Sequence, residues 1–184
     1  MNLDWRTLEA NSEDRCRFEQ INEEAFPVWE RMSFDEIFGF VSDTNTDVLG
    51  LYEGKTPIGF TVLLKNEECG YLYYLAIDHS MRSKGYGSAA LRRIREVYPN
   101  LQLTLDFEVI DENAENYAQR VRRKSFYLRN GFHETGSYTM LRGRRFELVC
   151  SGGELRREAL KDLLGTIHAH YPEFSDALFE SADA

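Results

Sequence analysis

The chain has 184 residues, a formal net charge of −9, and 42% hydrophobic with 13% aromatic residues. That is the length of one ordinary domain with enough apolar side chain to bury a core, which excludes a disordered polypeptide and leaves no room for a second full domain. No run approaches the roughly 18 apolar residues of a membrane span, and the opening Met1-Asn2-Leu3-Asp4-Trp5-Arg6 lacks a basic start followed by an apolar stretch, so a cytoplasmic protein without a membrane partner is expected.

In chain order, a short strand is expected over Asn2 to Leu8, then an amphipathic helix from about Ser12 to Ala25 with Phe18, Ile21 and Ala25 on one face. Phe26-Pro27 breaks it. A second helix opens at Ser33, where Ser33-Phe34-Asp35-Glu36 fits a capping box and Phe34, Ile37, Phe38 and Val41 form a buried stripe. Val48 to Tyr52 and Pro57 to Leu64 read as a hairpin around Glu53-Gly54-Lys55. After a turn at Asn66 to Gly70, the run Tyr71 to Ile77 is apolar enough for the centre of a sheet. A loop from Asp78 to Tyr86 leads into a helix from about Gly87 to Tyr98, ended by Pro99-Asn100, and Leu101 to Ile110 alternates as a strand. Asp111 to Tyr117 is polar and irregular, and a basic helix then runs to a C-cap at Asn130-Gly131. His133 to Leu141 and Arg144 to Cys150 pair around Arg142-Gly143. Ser151-Gly152-Gly153 makes a hinge before a last helix, Glu154 to about Tyr171. The mixture of strands, helices and hairpins gives an α/β or α+β domain over residues 1–150 with a helical extension over 151–184 packed on it.

Charge is unevenly placed. Arg82 to Arg145 holds 13 Lys and Arg against 7 Asp and Glu, while the rest of the chain holds 9 against 24. A basic middle inside an acidic shell suits a central anionic ligand and a cationic one elsewhere, and it suits nucleic acid poorly. Cys16, Cys69 and Cys150 are too scattered for a disulfide framework or a paired metal site, and no His/Cys/Asp cluster has metal-ligand spacing.

The informative segment joins the apolar strand to a helix through Arg82-Ser83-Lys84-Gly85-Tyr86-Gly87-Ser88. Glycines there let backbone N–H groups converge on an anion, the helix N-terminus adds its dipole, and Arg82 and Lys84 add charge; a pyrophosphate is the natural guest. Gly85-x-Gly87-x-x-Ala90 also fits a dinucleotide fingerprint, with Asp106 near the ribose-binding position. Gly85 comes eight residues after Ile77, however, and the later hairpin departs from a run of parallel βαβ units.

Leu75-Ala76-Ile77-Asp78 followed by Arg82 to Gly87 resembles the acetyl-CoA signature of the GNAT superfamily of N-acetyltransferases, Arg/Gln-x-x-Gly-x-Gly/Ala. Ser125-Phe126-Tyr127-Leu128-Arg129-Asn130-Gly131-Phe132 is similar to that family's late motif, and the resemblance spans roughly Asn2 to Cys150. It implies a single GNAT-like domain whose mixed sheet splays at a cofactor cleft, with flanking helices and an extra C-terminal helix. The main chain of Leu75, Ala76 and Ile77 would pair with the pantetheine arm of acetyl-CoA. Arg82, Ser83, Lys84, Gly85, Tyr86, Gly87 and Ser88 would wrap its diphosphate. An amide at the strand end can steady the oxyanion, and Tyr127 would protonate the departing thiolate.

Many family members carry an Asn seven residues before that tyrosine; here the position is Arg120, and Asn113 and Asn116 are the nearest candidates. Glu108 is the first candidate for the base that frees the amine, Glu30 the second, with His79 and His133 behind them. Tyr71, Tyr73, Tyr74 and the aromatics from Trp29 to Phe40 serve the core or wall an acceptor site. The expected activity is direct acetyl transfer to a primary amine, small or peptide-borne, with a cationic one favoured by the acidic shell, and with no metal. A non-catalytic acyl-CoA-binding module and a dinucleotide enzyme are the rivals. A monomer or homodimer is expected.

Overall fold

The computed structural model describes residues 3–141, 143–170 and 180–181. Two compact units divide the chain: residues up to Lys65 with Leu72–Pro99, and Asn66–Tyr71 with Asn100 onward.

The first unit contains β1 (Asp4–Thr7), α1 (Arg15–Ala25), α2 (Phe34–Asp43), β2 (Thr46–Glu53), β3 (Thr56–Lys65), most of β4 (Cys69–Ile77), a 3-10 turn at His79–Met81, and α3 (Tyr86–Val97). Its strands lie in chain order, β1-β2-β3-β4, with β1–β2 and β2–β3 antiparallel. The β2–β3 hairpin turns at Gly54, whose φ of 61° lies in the left-handed region that glycine enters without penalty. The capping box of α2 forms as the sequence predicts: the Ser33 hydroxyl accepts from Glu36 N at 3.2 Å, and a Glu36 carboxylate oxygen accepts from Ser33 N at 2.7 Å. Phe18 and Ile21 of α1 and Phe34, Ile37 and Phe40 of α2 are buried, and the Phe34 ring meets Phe60 of β3 edge-on at 5.2 Å. Phe40 therefore joins the α2 stripe, whereas Phe38 and Val41 are half-buried. Helix α1 begins at Arg15 rather than Ser12, because the Ser12 hydroxyl accepts from Glu9 N (2.9 Å) and closes a turn instead of capping.

The second unit contains the opening residues of β4, then β5 (Gln102–Glu108), α4 (Tyr117–Arg129), β6 (Phe132–Leu141), β7 (Arg144–Ser151), α5 (Arg157–His170) and β8 (Glu180–Ser181). Its order is β4-β5-β7-β6-β8, so the sheet is mixed: β4 and β5 are parallel, and β7 and β6 follow antiparallel. This is the α/β architecture expected from the sequence. The β4–β5 register covers Cys69, Gly70 and Tyr71 against Gln102, Leu103 and Thr104. Helix α4 is capped at its C-terminus by Asn130, and Gly131 follows with φ 81°.

Helix α5 starts three residues later than Glu154. The cause is the side chain of Gln102, which donates to the carbonyls of Gly153 and Glu154 and accepts from Arg156 N (2.8 Å), holding that stretch out of the helix. Leu160, Leu163, Leu164 and Ile167 bury the apolar face of α5. Asn2, Arg142 and Tyr171, which the sequence reading placed at element ends or in a turn, lie outside the described residues. Among the described residues no helix is long and apolar enough to cross a membrane.

Candidate active site

The glycine loop lies in the first unit and is fixed from both ends. At the end of β4, Asp78 N donates to Ile58 O at 2.8 Å. The nearly buried Asp78 carboxylate accepts from Ser80 N (2.8 Å) and the Ser80 hydroxyl (2.7 Å), and from the Arg17 guanidinium of α1. Burial alone would push the Asp78 carboxyl up, but the Ser80 bonds together with Arg17 outweigh it and hold the carboxyl below its ordinary value. Arg82 folds back so that its Nε donates to Ile77 O at 3.0 Å. Ser83 takes φ 61°, an unusual setting for a residue with a Cβ, and Gly85 takes φ 86° as the N-cap of α3.

Gly85 supplies no capping side chain, and the first helical hydrogen bond of α3 runs from Ala89 N to Gly85 O (3.0 Å). The N–H groups of Tyr86, Gly87 and Ser88 therefore stand at the helix mouth, where an anion is the fitting partner. The Tyr86 ring turns the other way. It is buried with Leu51, Ile58 and Ala90, and its hydroxyl donates to Glu53. Tyr86 thus serves the loop through its backbone, and its side chain anchors the helix start. Lys84 is exposed and lies 3.5 Å from Met81 Sδ.

On β4, Ala76 is buried and Leu75 and Ile77 are half-buried. Gly59 of β3 sets how closely the two strands approach: a Cβ there would lie 2.3 Å from Ala76 O. Tyr74 ties the segment between α1 and α2 to β4, its hydroxyl donating to Glu30 O (2.9 Å) and accepting from Met32 N (3.0 Å). Glu30 is thereby placed by its backbone. His79 is exposed.

The predicted acid–base residues lie in the second unit. Tyr127 of α4 is half-buried and stacks on Phe107 of β5, centroids 5.8 Å apart and planes 2° from parallel, with Phe126 and Phe132 edge-on. Glu108, at the end of β5, is 7% exposed. Its Oε1 accepts from Arg120 at 2.8 Å and its Oε2 from Asn116 at 2.9 Å. Arg120 also donates to Asn116 Oδ1 (2.7 Å) and Val109 O (2.8 Å). Arg120 is thus a guanidinium that gathers the strand end and the start of α4. Asn113 closes a local turn by donating from its backbone to Asp111.

Lys124 bonds Glu147 (2.8 Å) and Glu134; burial lowers its pKa, but these carboxylates overcome that and raise it. His133 is exposed, with Nε2 3.4 Å from the Cys150 sulfur, and burial, with Cys69 nearby, pushes the Cys150 thiol up to about 11. A thiol so hard to ionise is no nucleophile at neutral pH. Among the described residues no group of His, Cys, Asp or Glu could hold a metal ion.

Sequence reasoning undervalued Asp106. The hydroxyls of Thr139 on β6 and Tyr71 on β4 donate to its carboxylate. Alternation along β5 signalled that it and Phe107 face opposite ways. Its approach to Thr139 depends on β7 lying between β5 and β6, which no local pattern reveals.

A mixed sheet with a glycine-capped helix following its central strand defines an α/β protein. The sequence profile of the Acetyltransferase (GNAT) family matches residues 14–132, and the chain belongs to that family. Solved structures agree in fold. A GNAT-family protein from Bacteroides thetaiotaomicron superposes with a TM-score of 0.70 at 19% identity, covering 90% of this chain and 96% of its own. The ribosomal-protein-S18-alanine N-acetyltransferase of Escherichia coli gives 0.58 at 18% identity, over 84% and 96%. The PaiA N-acetyltransferase of Thermoplasma acidophilum, solved with coenzyme A, gives 0.61 at 19% identity, over 83% and 100%. No curated protein matches the chain in sequence.

Proposed function

We propose that the protein is an N-acetyltransferase that moves the acetyl group of acetyl-CoA to a primary amine by direct attack. The observation that carries this reading is the mouth of α3. Three successive amides follow a left-handed glycine, with Arg82 and Lys84 beside them, and two glycines leave no side chain in the way of a diphosphate. Bound there, acetyl-CoA supplies an activated acyl group. Leu75, Ala76 and Ile77 offer main-chain partners to the pantetheine arm, and Arg82, Ser83, Lys84, Gly85, Tyr86, Gly87 and Ser88 hold the diphosphate. Tyr127 gives its phenolic proton to the departing sulfur. The amine's proton goes to one of the two carboxylates of β5, Asp106 or Glu108.

The Escherichia coli relative is named for acetylating an alanine amine and the Thermoplasma relative was solved with coenzyme A, so both are in keeping with amine acetylation. The acceptor proposed here is a cationic primary amine, free or on a lysine-bearing peptide, drawn by the acidic residues outside the basic middle. Calorimetry should detect acetyl-CoA binding and no NAD binding, and thiol release should follow addition of an amine. A chain that binds neither ligand contradicts the reading.

One observation favours a non-catalytic acyl-CoA-binding module instead: Tyr127 packs among three phenylalanine rings, as a purely structural tyrosine would. Tyr127→Phe separates the two, because it keeps the ring packing and removes the hydroxyl that would give the proton.

A further inference from the structure

Acetyl transfer needs a proton acceptor for the ammonium form of the amine, and β5 carries two carboxylates, Asp106 and Glu108. Their surroundings differ. Both oxygens of Glu108 are engaged, one by the Arg120 guanidinium and one by the Asn116 amide, and the ion pair is itself nearly buried. These bonds commit both oxygens of Glu108 to its own strand end and to the start of α4. Asp106 is held by two neutral hydroxyls, those of Thr139 and Tyr71. Burial pushes its carboxyl up, and these hydroxyls only partly offset that. The residue is nevertheless half-buried rather than sealed.

Its place on the strand also fits. Asp106 is two residues beyond Thr104, where the β4–β5 register ends. It is adjacent to Phe107, which stacks on Tyr127 from the other side of the strand.

Resting on the acetyltransfer reading, we infer that Asp106 receives the proton of the acceptor's ammonium group, while Glu108 with Arg120 positions the end of β5. The ammonium gives one proton to the Asp106 carboxylate. The freed lone pair forms the C–N bond, and the C–S bond breaks with its electron pair on sulfur. Tyr127 protonates that sulfur, and the second proton lost by nitrogen restores the phenol. The proton on Asp106 leaves to water, so the balance is one amide, one thiol and one proton released. The groups around Asp106 are Tyr71 of β4, Leu148 of β7, and Ser137 and Thr139 of β6, with Glu108 further along its own strand. The Arg157 guanidinium of α5 reaches the Ser137 hydroxyl at 2.6 Å, in the same cross-strand row.

The test uses the full chain, acetyl-CoA, and spermidine or a lysine-bearing peptide as acceptor. Asp106→Asn should lower kcat by about 100-fold or more at neutral pH, with acetyl-CoA affinity unchanged. The deficit should shrink as pH rises toward the amine's own pKa, a dependence that a merely structural role would not produce. Glu108→Gln should cost less than about tenfold in kcat and appear mainly as a lower Tm. Wild-type turnover in Asp106→Asn, or a larger kcat loss in Glu108→Gln, overturns the assignment. A second measurement does not depend on turnover: carbon-13 NMR of the Asp106 side-chain carboxyl should show it titrating above the ordinary aspartate value, and titration at or below that value overturns the assignment. Acetyl-CoA binding by the wild type without thiol release from either acceptor would instead count against acetyl transfer itself.

Discussion

The glycine loop and the end of β5 do their work by different means. The loop is mostly backbone: Ser80 and Gly85 adjust main-chain direction or hydrogen bonding within a few residues, and Asp78 joins its local bonds with Ser80 to one distant partner, Arg17. The end of β5 depends on side chains brought from afar. Arg120 and Asn116 meet Glu108, and Thr139 crosses β7 to reach Asp106. Local backbone geometry is tolerant of substitutions around it, whereas a pair of buried charges fails when either member is lost.

The largest effect should therefore come from Arg120→Ala. It strands the nearly buried Glu108 and should cost about 3–5 kcal/mol, read as a shift in the urea midpoint; a change under about 1 kcal/mol would remove the contrast. Tyr127→Phe comes next. It should reduce turnover by about 100-fold, near 2.7 kcal/mol of barrier, with acetyl-CoA affinity preserved, and equal turnover would return Tyr127 to a packing role.

Gly59→Ala should destabilise by about 1–3 kcal/mol, because the new methyl meets a backbone carbonyl of β4 that has no rotamer to escape into. Weaker acetyl-CoA binding should accompany it, since Ala76 moves. Asp78→Asn should cost about 1–3 kcal/mol. The folded-state pKa of Asp78 lies below its unfolded value, so its stabilisation is complete above the unfolded pKa and is lost as pH falls through the folded one. The variant's Tm deficit should accordingly be full at neutral pH and close on acidification; a deficit unchanged in acid would separate Asp78 from that pH dependence. The smallest effect is expected from Ser83→Gly, which relieves the positive φ and should shift stability by no more than about 1 kcal/mol in either direction.

Legibility in the sequence follows the same division. The capping box at Ser33, the turn at Gly54 and the C-cap at Gly131 are short-range devices, and each forms where its residues predict. The loop from Asp78 to Gly87 was legible for the same reason. Even there, the buried aim of the Tyr86 ring was not, because its partner Glu53 is more than thirty residues away. The pairing of Glu108 with Arg120 was hidden: an acid at the end of an alternating strand reads the same whether it faces water or a guanidinium. The late start of α5 escaped too, since nothing near Glu154 announces the amide of Gln102.

That glutamine has a practical consequence. One buried side chain in the middle of the chain fastens Gly153, Glu154 and Arg156. Trimming the polypeptide after Ser151 to obtain a shorter, more crystallisable version would uncover a carboxamide with nothing to grip.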